Sequence, residues 1–456
     1  MGPSRVATAT RGDPAARWGD PGQALLIALV ALALVGVLAA VLSTLWARAS
    51  TLAVRRAEAQ TAFYAAEAGL AEGLQRVLAG DAAFLAGEAA MGQTGNGTYR
   101  VRLIAAGSTG GTGYTIESTG WAQARPASRR TVRMTVDSAF FRPVVAGDDL
   151  ILDRDCLLCD PRLPIAFSPE ALYADTLQGG DKAWGARQGS VPWPRLTYGA
   201  LAAQVPNPTQ VTRLTSRTCQ LATSGWYEVQ KHACQRLDVT APWAGVTGDL
   251  DADHITVKPG AMLVVAGAVE VNTLAWVNAG AVTGGGIVVA GKEIAVDTVD
   301  LAQWGLQEAA ILLALDTNTP DCPSSVPGCT YDPKRPDAAR DPSNDITLRA
   351  FSLVNLSSAR TLVAYAAPLR VPGPSGQPKL TVDLSSLVSF GLVTFRGTLV
   401  SGGDVELRDQ GLVALSRWEV TADPAAARPL FELAGTLPGV GVLAQLEWAE
   451  QRGGGP

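Results

Sequence analysis

The sequence predicts an α+β chain. A long N-terminal membrane-spanning helix carries an antiparallel sheet on its distal half, and a large, mostly-β, parallel β-solenoid domain follows. Three observations carry this expectation. Gln23 to Ala47 contains no charged residue, and about 20 apolar residues suffice to cross a bilayer core as a helix. Strictly alternating runs follow at Tyr99–Leu103 (YRVRL) and Thr131–Val136 (TVRMTV), the period of a half-buried strand. Beyond Pro143 a Val-Val-Ala-Gly phrase recurs, as VVAGDDLIL at Val144, VVAGAVEVN at Val264, VVAGKEIAV at Val288 and more loosely LVSGGDVEL at Leu399. The second and third copies lie about one solenoid coil apart. An irregular β-sandwich is the alternative.

Residues 1–22 form a polar leader, with Arg5, Arg11 and Arg17 against Asp13 and Asp20. The apolar run after it is too long for an ordinary secretory signal and lacks a clear small-x-small cleavage site. Residues 23–80 read as one helix, half in lipid and half outside. Pro is absent between Pro21 and Pro126, and Ala, Leu, Glu, Gln and Arg dominate, so nothing stops the helix at the membrane edge. Past Arg48 the pattern turns amphipathic, with Leu52, Ala59, Phe63, Ala66, Leu70 and Leu74 at three- and four-residue steps. Gly80 is a natural stop.

Residues 81–142 read as the sheet domain: 81–98 as a turn-rich connection with Gly92, Gly95 and Gly97, then the two alternating runs with Gly113–Gln123 as a third strand between them. Residues 143–425 read as the solenoid with two long loops, 156–210 (bearing Trp184 and Trp193) and 316–345. Long loops on a rigid scaffold are common binding sites. Residues 426–456 are apolar and mixed, and could return to the first sheet. The solenoid would then be an insertion.

The chain has 456 residues, a net charge of −5 and only 17% charged residues. That balance gives no global drive towards nucleic acid. A local basic cluster runs against it: Arg100, Arg102, Arg125, Arg129, Arg130 and Arg133. This is either an ordinary solvated sheet face or a patch for phosphates or an acidic partner. The six cysteines fall in three close pairs, Cys156/Cys159, Cys219/Cys234 and Cys322/Cys329, which suits local disulfides outside the cytoplasm. Cys156-Leu-Leu-Cys159 could instead begin a zinc site with Cys219, His232 or Cys234.

Catalytic signals are thin, and the expectation is a protein that is not an enzyme. GxSxG, HExxH, phosphate-loop and dinucleotide fingerprints are missing from the sequence. His232 and His254 read as structural. No cofactor is expected. Asp249/Asp251/Asp253 or Asp316/Asn318/Asp321 could hold calcium through oxygen ligands, although neither set matches an EF-hand loop.

The polar leader ending in Pro21-Gly22, the Ala/Leu/Ile/Val run, the short basic stretch at Arg48, Arg55 and Arg56, and the patch Ala65-Ala66-Glu67-Ala68-Gly69-Leu70 together resemble the N-terminal segment of PilX-type minor pilins of type IV pili. The resemblance covers about residues 18–80. It implies cutting by a prepilin peptidase after Gly22, Gln23 as the mature N-terminus, and other pilins of the filament as partners. It also implies a cytoplasmic leader, which basic Arg48, Arg55 and Arg56 beyond the span do not favour. The expected location is the inner membrane before assembly and the pilus or cell surface afterwards.

Major pilins carry Glu at the fifth mature position. Here that residue is Ile27, which resembles tip subunits. The layout is also similar to large competence minor pilins with a solenoid set into the pilin sheet, which implies DNA uptake or, failing DNA, adhesion to another surface ligand. Rivals are a type II secretion pseudopilin, a membrane-anchored β-helix enzyme acting on polysaccharide, and a plain single-pass anchor.

Overall fold

The computed structural model describes residues 21–78, 81–85, 87–105, 114–123, 125–153, 165–167, 172–174, 176–178, 183–184, 186–188, 193–207, 209–230, 232–276, 286–300, 309–320, 322, 325–329, 331, 344–349, 351–352, 361–369, 376–383, 389–408, 414–421, 427, 429–430, 433 and 444–451. The first described element is one helix, α1 (Pro21–Leu78), of 58 residues. At about 1.5 Å per residue it is roughly 85 Å long. Its N-terminal part is exposed and apolar, long and uncharged enough to cross a membrane. From Ala62 onwards one stripe is buried: Ala62, Ala65, Ala66, Leu70 and Val77.

That stripe lies on an antiparallel sheet. Its strands are β1 (Ala90–Thr94), β2 (Gly97–Ala105), β3 (Tyr114–Ala122) and β4 (Arg125–Asp137), with Ala444–Gln451 added beyond β4. The last strand pairs antiparallel with β4, Glu447 opposite Thr135 and Gln451 opposite Thr131. The chain therefore leaves this head sheet after β4 and comes back to the same edge some 300 residues later.

Between those two points the chain builds two large parallel sheets. From Val211 to Thr421 the strands alternate between them, save for the consecutive Ile346–Leu348 and Phe351–Ser352 of one sheet, and pair in parallel with strands of their own sheet. In one sheet a single column runs Val211, Trp226, Gly245, Val264, Val289, Leu313, Tyr365, Val400 and Val145. The inner faces of both sheets share one core, with Leu263, Val288, Leu312 and Leu399 facing Leu250, Val269, Ile294 and Leu380. The middle strands of the first sheet are buried on both faces. They therefore read as unbroken apolar runs (MLVV, IVVA, AAILLA), as expected of doubly covered parallel strands. Tyr198 and Leu201 lie in the same cluster as that outer face. The second sheet alternates, as in LDADHITV and IAVDTVD, and turns Asp251 and Glu270 to solvent.

The winding order explains how both ends of the parallel-sheet region lie near the antiparallel sheet. The strand Val144–Ala146 stacks on Leu399–Ser401, the last-formed part of the column. The chain then crosses to the far end at Val211 and winds back. The region 156–210, expected to be a loop, instead contributes short strands at Ile165–Phe167, Leu172–Ala174, Thr176–Gln178, Ala183–Trp184 and Ala186–Gln188. These extend the stacks in parallel pairing.

The junction between the units is packed and charged. Arg142 is buried and bonds Asp137 through both guanidinium nitrogens, at 2.5 and 2.7 Å, and donates to Ser138 O at 2.7 Å. The Phe140 ring meets Tyr365 edge to face at 5.7 Å. Thr398 donates to Phe140 O and Leu399 N–H to Pro143 O.

Candidate functional site

Two surfaces of the head are built from residues singled out in the sequence. The first is the seam between α1 and the sheet. The helix presents Ala62, Ala65, Ala66, Gly69 and Gly73, and the strands answer with Gly97 and Gly120. A side chain on Gly120 would overlap the main chain of α1 at Ala62 O and Ala66 N, and one on Gly73 would lie 2.6 Å from Ile116. The Ala-Ala-Glu-Ala-Gly-Leu patch is thus a close-packing surface, since only small residues let two backbones approach this far. Glu67 points away from the seam and is exposed. One turn further on, Glu72 accepts from the Tyr99 hydroxyl and pairs with Arg76, which also reaches Asp81 at 2.8 Å. The Tyr99 hydrogen bond is the main reason the Glu72 carboxyl is held below its usual range.

The second surface is the face of the sheet turned away from the helix. Cross-strand register sets Arg102 opposite Glu117 and Glu117 opposite Arg133, Arg100 opposite Thr119, and Trp121 opposite Arg129. Glu117 is 7% exposed and takes Arg102 on Oε1 and Arg133 on Oε2, both at 2.5 Å. Burial would raise its pKa, but the guanidiniums of Arg133 and Arg102 outweigh burial and hold it below the ordinary value. One carboxylate shared by two arginines leaves surplus positive charge. Arg100, Arg102 and Arg129 line a cleft of about 300 Å³ with Thr119, Glu117 and Trp121. Such a cleft can take an anion by charge-assisted hydrogen bonds, with an aromatic ring beside it.

Four of the six arginines expected to form one cluster share this face. Arg130 sits opposite Gly120, in the row turned towards α1. Arg125 pairs with Ala122 by register, and its side chain lies outside the described residues. Glu117, Thr119 and Trp121 were not singled out in the sequence. Their signal was the β2–β3 register, which a single sequence does not fix.

Cys219–Cys234 and Cys322–Cys329 are disulfides. This removes Cys219 and Cys234 as zinc ligands. Cys156 and Cys159 lie outside the described residues, as do the leader up to Asp20 and Asp321. Trp193 is exposed, whereas the side chain of Trp184 is not described. His254 sits in a strand, in register with Arg236 and Thr273. His232 lies within the Cys219–Cys234 loop at φ 65°.

Among the described residues, no group of three His, Cys, Asp or Glu side chains gathers to hold a metal. Asp249 is occupied by Ala268 N–H and Lys292 and Asp253 by Asn272, so Asp249, Asp251 and Asp253 do not form a calcium cage. On the same outer face, Asp297 pairs with Arg349, and Glu406 with Lys379 and Arg408. Comparison with known protein families, curated proteins and solved structures finds no match to this chain.

Proposed function

We propose that this chain is a minor subunit of a type IV pilus, placed at or near the tip, with the two parallel sheets forming a β-solenoid inserted in a pilin-like head. The observation that carries the reading is the division of α1. Its first half is uncharged and exposed along its whole circumference, and its second half is sealed to an antiparallel sheet by alanine and glycine. Such a helix can pass from lipid to a bundle of like helices without exposing a new surface. A carboxylate in that bundle would be costly unless paired. Ile27 supplies none to a subunit above, which suits a subunit that is first in line. The solenoid leaves and rejoins the head at β4, so it projects as one body and can display its loops. Within this reading the chain sits in the inner membrane before assembly and at the surface afterwards, and the prepilin peptidase and other pilins are its partners.

The arginine cleft favours a phosphate-bearing polymer, DNA above all, as the external ligand. Affinity carried by phosphate contacts falls with salt, with a slope of about −0.9 per contact on duplex DNA. Because Arg130 belongs to the helix side, the informative variant is Arg100→Ala with Arg129→Ala. Binding by the wild type and a flatter salt slope in the variant support DNA. Absence of binding at low salt favours adhesion or pilus priming. An unchanged slope moves the contact to the solenoid.

The filament assignment is tested by isolating sheared surface filaments and identifying their subunits by mass spectrometry. The chain is expected in trace amounts relative to the principal subunit. Its confinement to the membrane fraction in piliated cells overturns the assignment.

A further inference from the structure

A second site lies where the solenoid's loop 316–345 departs from the stack. In the coil below, only Gly291–Glu293 link strand Ile287–Ala290 to strand Ile294–Asp300. In the coil above, Leu315 N–H bonds Ala290 O at 2.9 Å, and Asp345 O accepts from Ile294 N–H at 2.8 Å. The two ends of the excursion therefore rest on the two ends of one three-residue turn. Four residue steps span at most about 14 Å, so Asp316–Thr319 and Asn344 are held over the same turn. A third coil closes it from above, where Ala367 N–H bonds Ala314 O and Lys379 N–H bonds Asp345 Oδ1. The Cys322–Cys329 disulfide and the bond from Tyr198 Oη–H to Pro327 O at 2.8 Å fix the departing strand of the loop.

This enclosed turn is polar. Asp316, Thr317, Asn318 and Asn344 are all buried, Asn344 completely. Of eight buried side-chain polar atoms without a hydrogen-bond partner among the described residues, four are here: Asn318 Oδ1, Thr319 Oγ1, and Oδ1 and Nδ2 of Asn344. Folded proteins leave few such atoms, and each asks for an explanation. Three of the four are oxygens, and Asp316 brings a carboxylate whose Oδ1 accepts from Asn318 N–H. Amide and hydroxyl oxygens left without a hydrogen bond around the same turn as a carboxylate suit a hard divalent cation, and calcium tolerates such a mixed, irregular set better than magnesium.

We infer that Asp316, Asn318, Thr319 and Asn344 form a calcium site that ties the loop to the solenoid. The test is equilibrium dialysis of the full chain in detergent, stripped with EDTA and then exposed to about 1 mM Ca²⁺, the weak end for extracellular modules. Bound metal is counted by mass spectrometry. One calcium per chain is expected, lost at least tenfold in affinity in Asn318→Ala/Thr319→Val. Asn318→Asp adds a carboxylate with little change in size and is expected to tighten binding, which guards against a variant that fails to fold. No retained calcium, a preference for Mg²⁺, equal retention by the double variant, or no tightening in Asn318→Asp overturns the assignment.

Discussion

Gly120→Ala is the most exacting test of how the head is built. The added methyl has nowhere to go: it overlaps Ala62 O and Ala66 N and lies 3.0 Å from the Ala65 carbonyl carbon. All three are main-chain atoms of α1, so no side chain can rotate aside, and the helix must lift from β3. Overpacking costs about 1–3 kcal/mol, and an unyielding backbone places this case at about 3. Replacing Gly in a strand returns roughly 0.5–1 kcal/mol of chain entropy. The net is about 2 kcal/mol, or about thirtyfold in the opening equilibrium. Hydrogen exchange on the full chain reads this unit by unit. Amides of α1 beyond Ala57 and of β2–β4 are expected to exchange about thirtyfold faster, while Met262–Val265 in the parallel sheets keep their rates. Gly36→Ala is the control, because nothing lies within 4 Å of that position and only helix propensity changes. Head amides that exchange at wild-type rates, or more slowly, would refute the close-packing account.

Two further outcomes follow from the same geometry. Reducing Cys219–Cys234, which closes a separation of 15 residues, is expected to cost about 3 kcal/mol, and Cys322–Cys329, with a separation of 7, about 2. Urea midpoints of the Cys→Ala double variants measure both, and free thiols in the untreated protein would contradict them. Glu117→Gln removes a carboxylate whose folded pKa is lowered. Its stabilisation is complete above the unfolded pKa near 4.5 and fades as pH falls through the folded value. The wild-type advantage in urea midpoint should therefore be constant at neutral pH and shrink below about pH 4.5. An advantage that grows on acidification would reverse the assignment.

The sequence made the helix and the alternating strands legible because each has one buried face and a simple period. β1 was missed: Ala-Met-Gly-Gln-Thr is mostly exposed and carries no alternation to detect. The Val-Val-Ala-Gly phrase pointed to stacked strands but not to their register. Val264 pairs with Val289, not with Val288, one residue off the phrase. A one-residue slip swaps the faces of a strand, and here both faces are buried, so apolar residues fill either register and hide the slip. The Asp-rich turns illustrate a different limit. Asp249, Asp251 and Asp253 look like Asp316, Asn318 and Asp321 in sequence, yet Asp249 and Asp253 find hydrogen-bond partners further along the stack of strands, while the side-chain oxygen of Asn318 stays buried without one. Only stacking separates them. The arginine cluster divided for a similar reason, since Arg129 and Arg130 are neighbours in the chain and lie on opposite faces of the sheet.

The central claim, a prepilin-type helix that anchors this head in a filament, is tested most directly by the N-terminus of the mature chain. Intact-mass and N-terminal sequencing of the protein from its native membrane are predicted to find Gln23 first, and Gly22→Val is predicted to leave the leader attached. A mature chain that starts at Met1, or at any position inside α1 beyond Gln23, would contradict it.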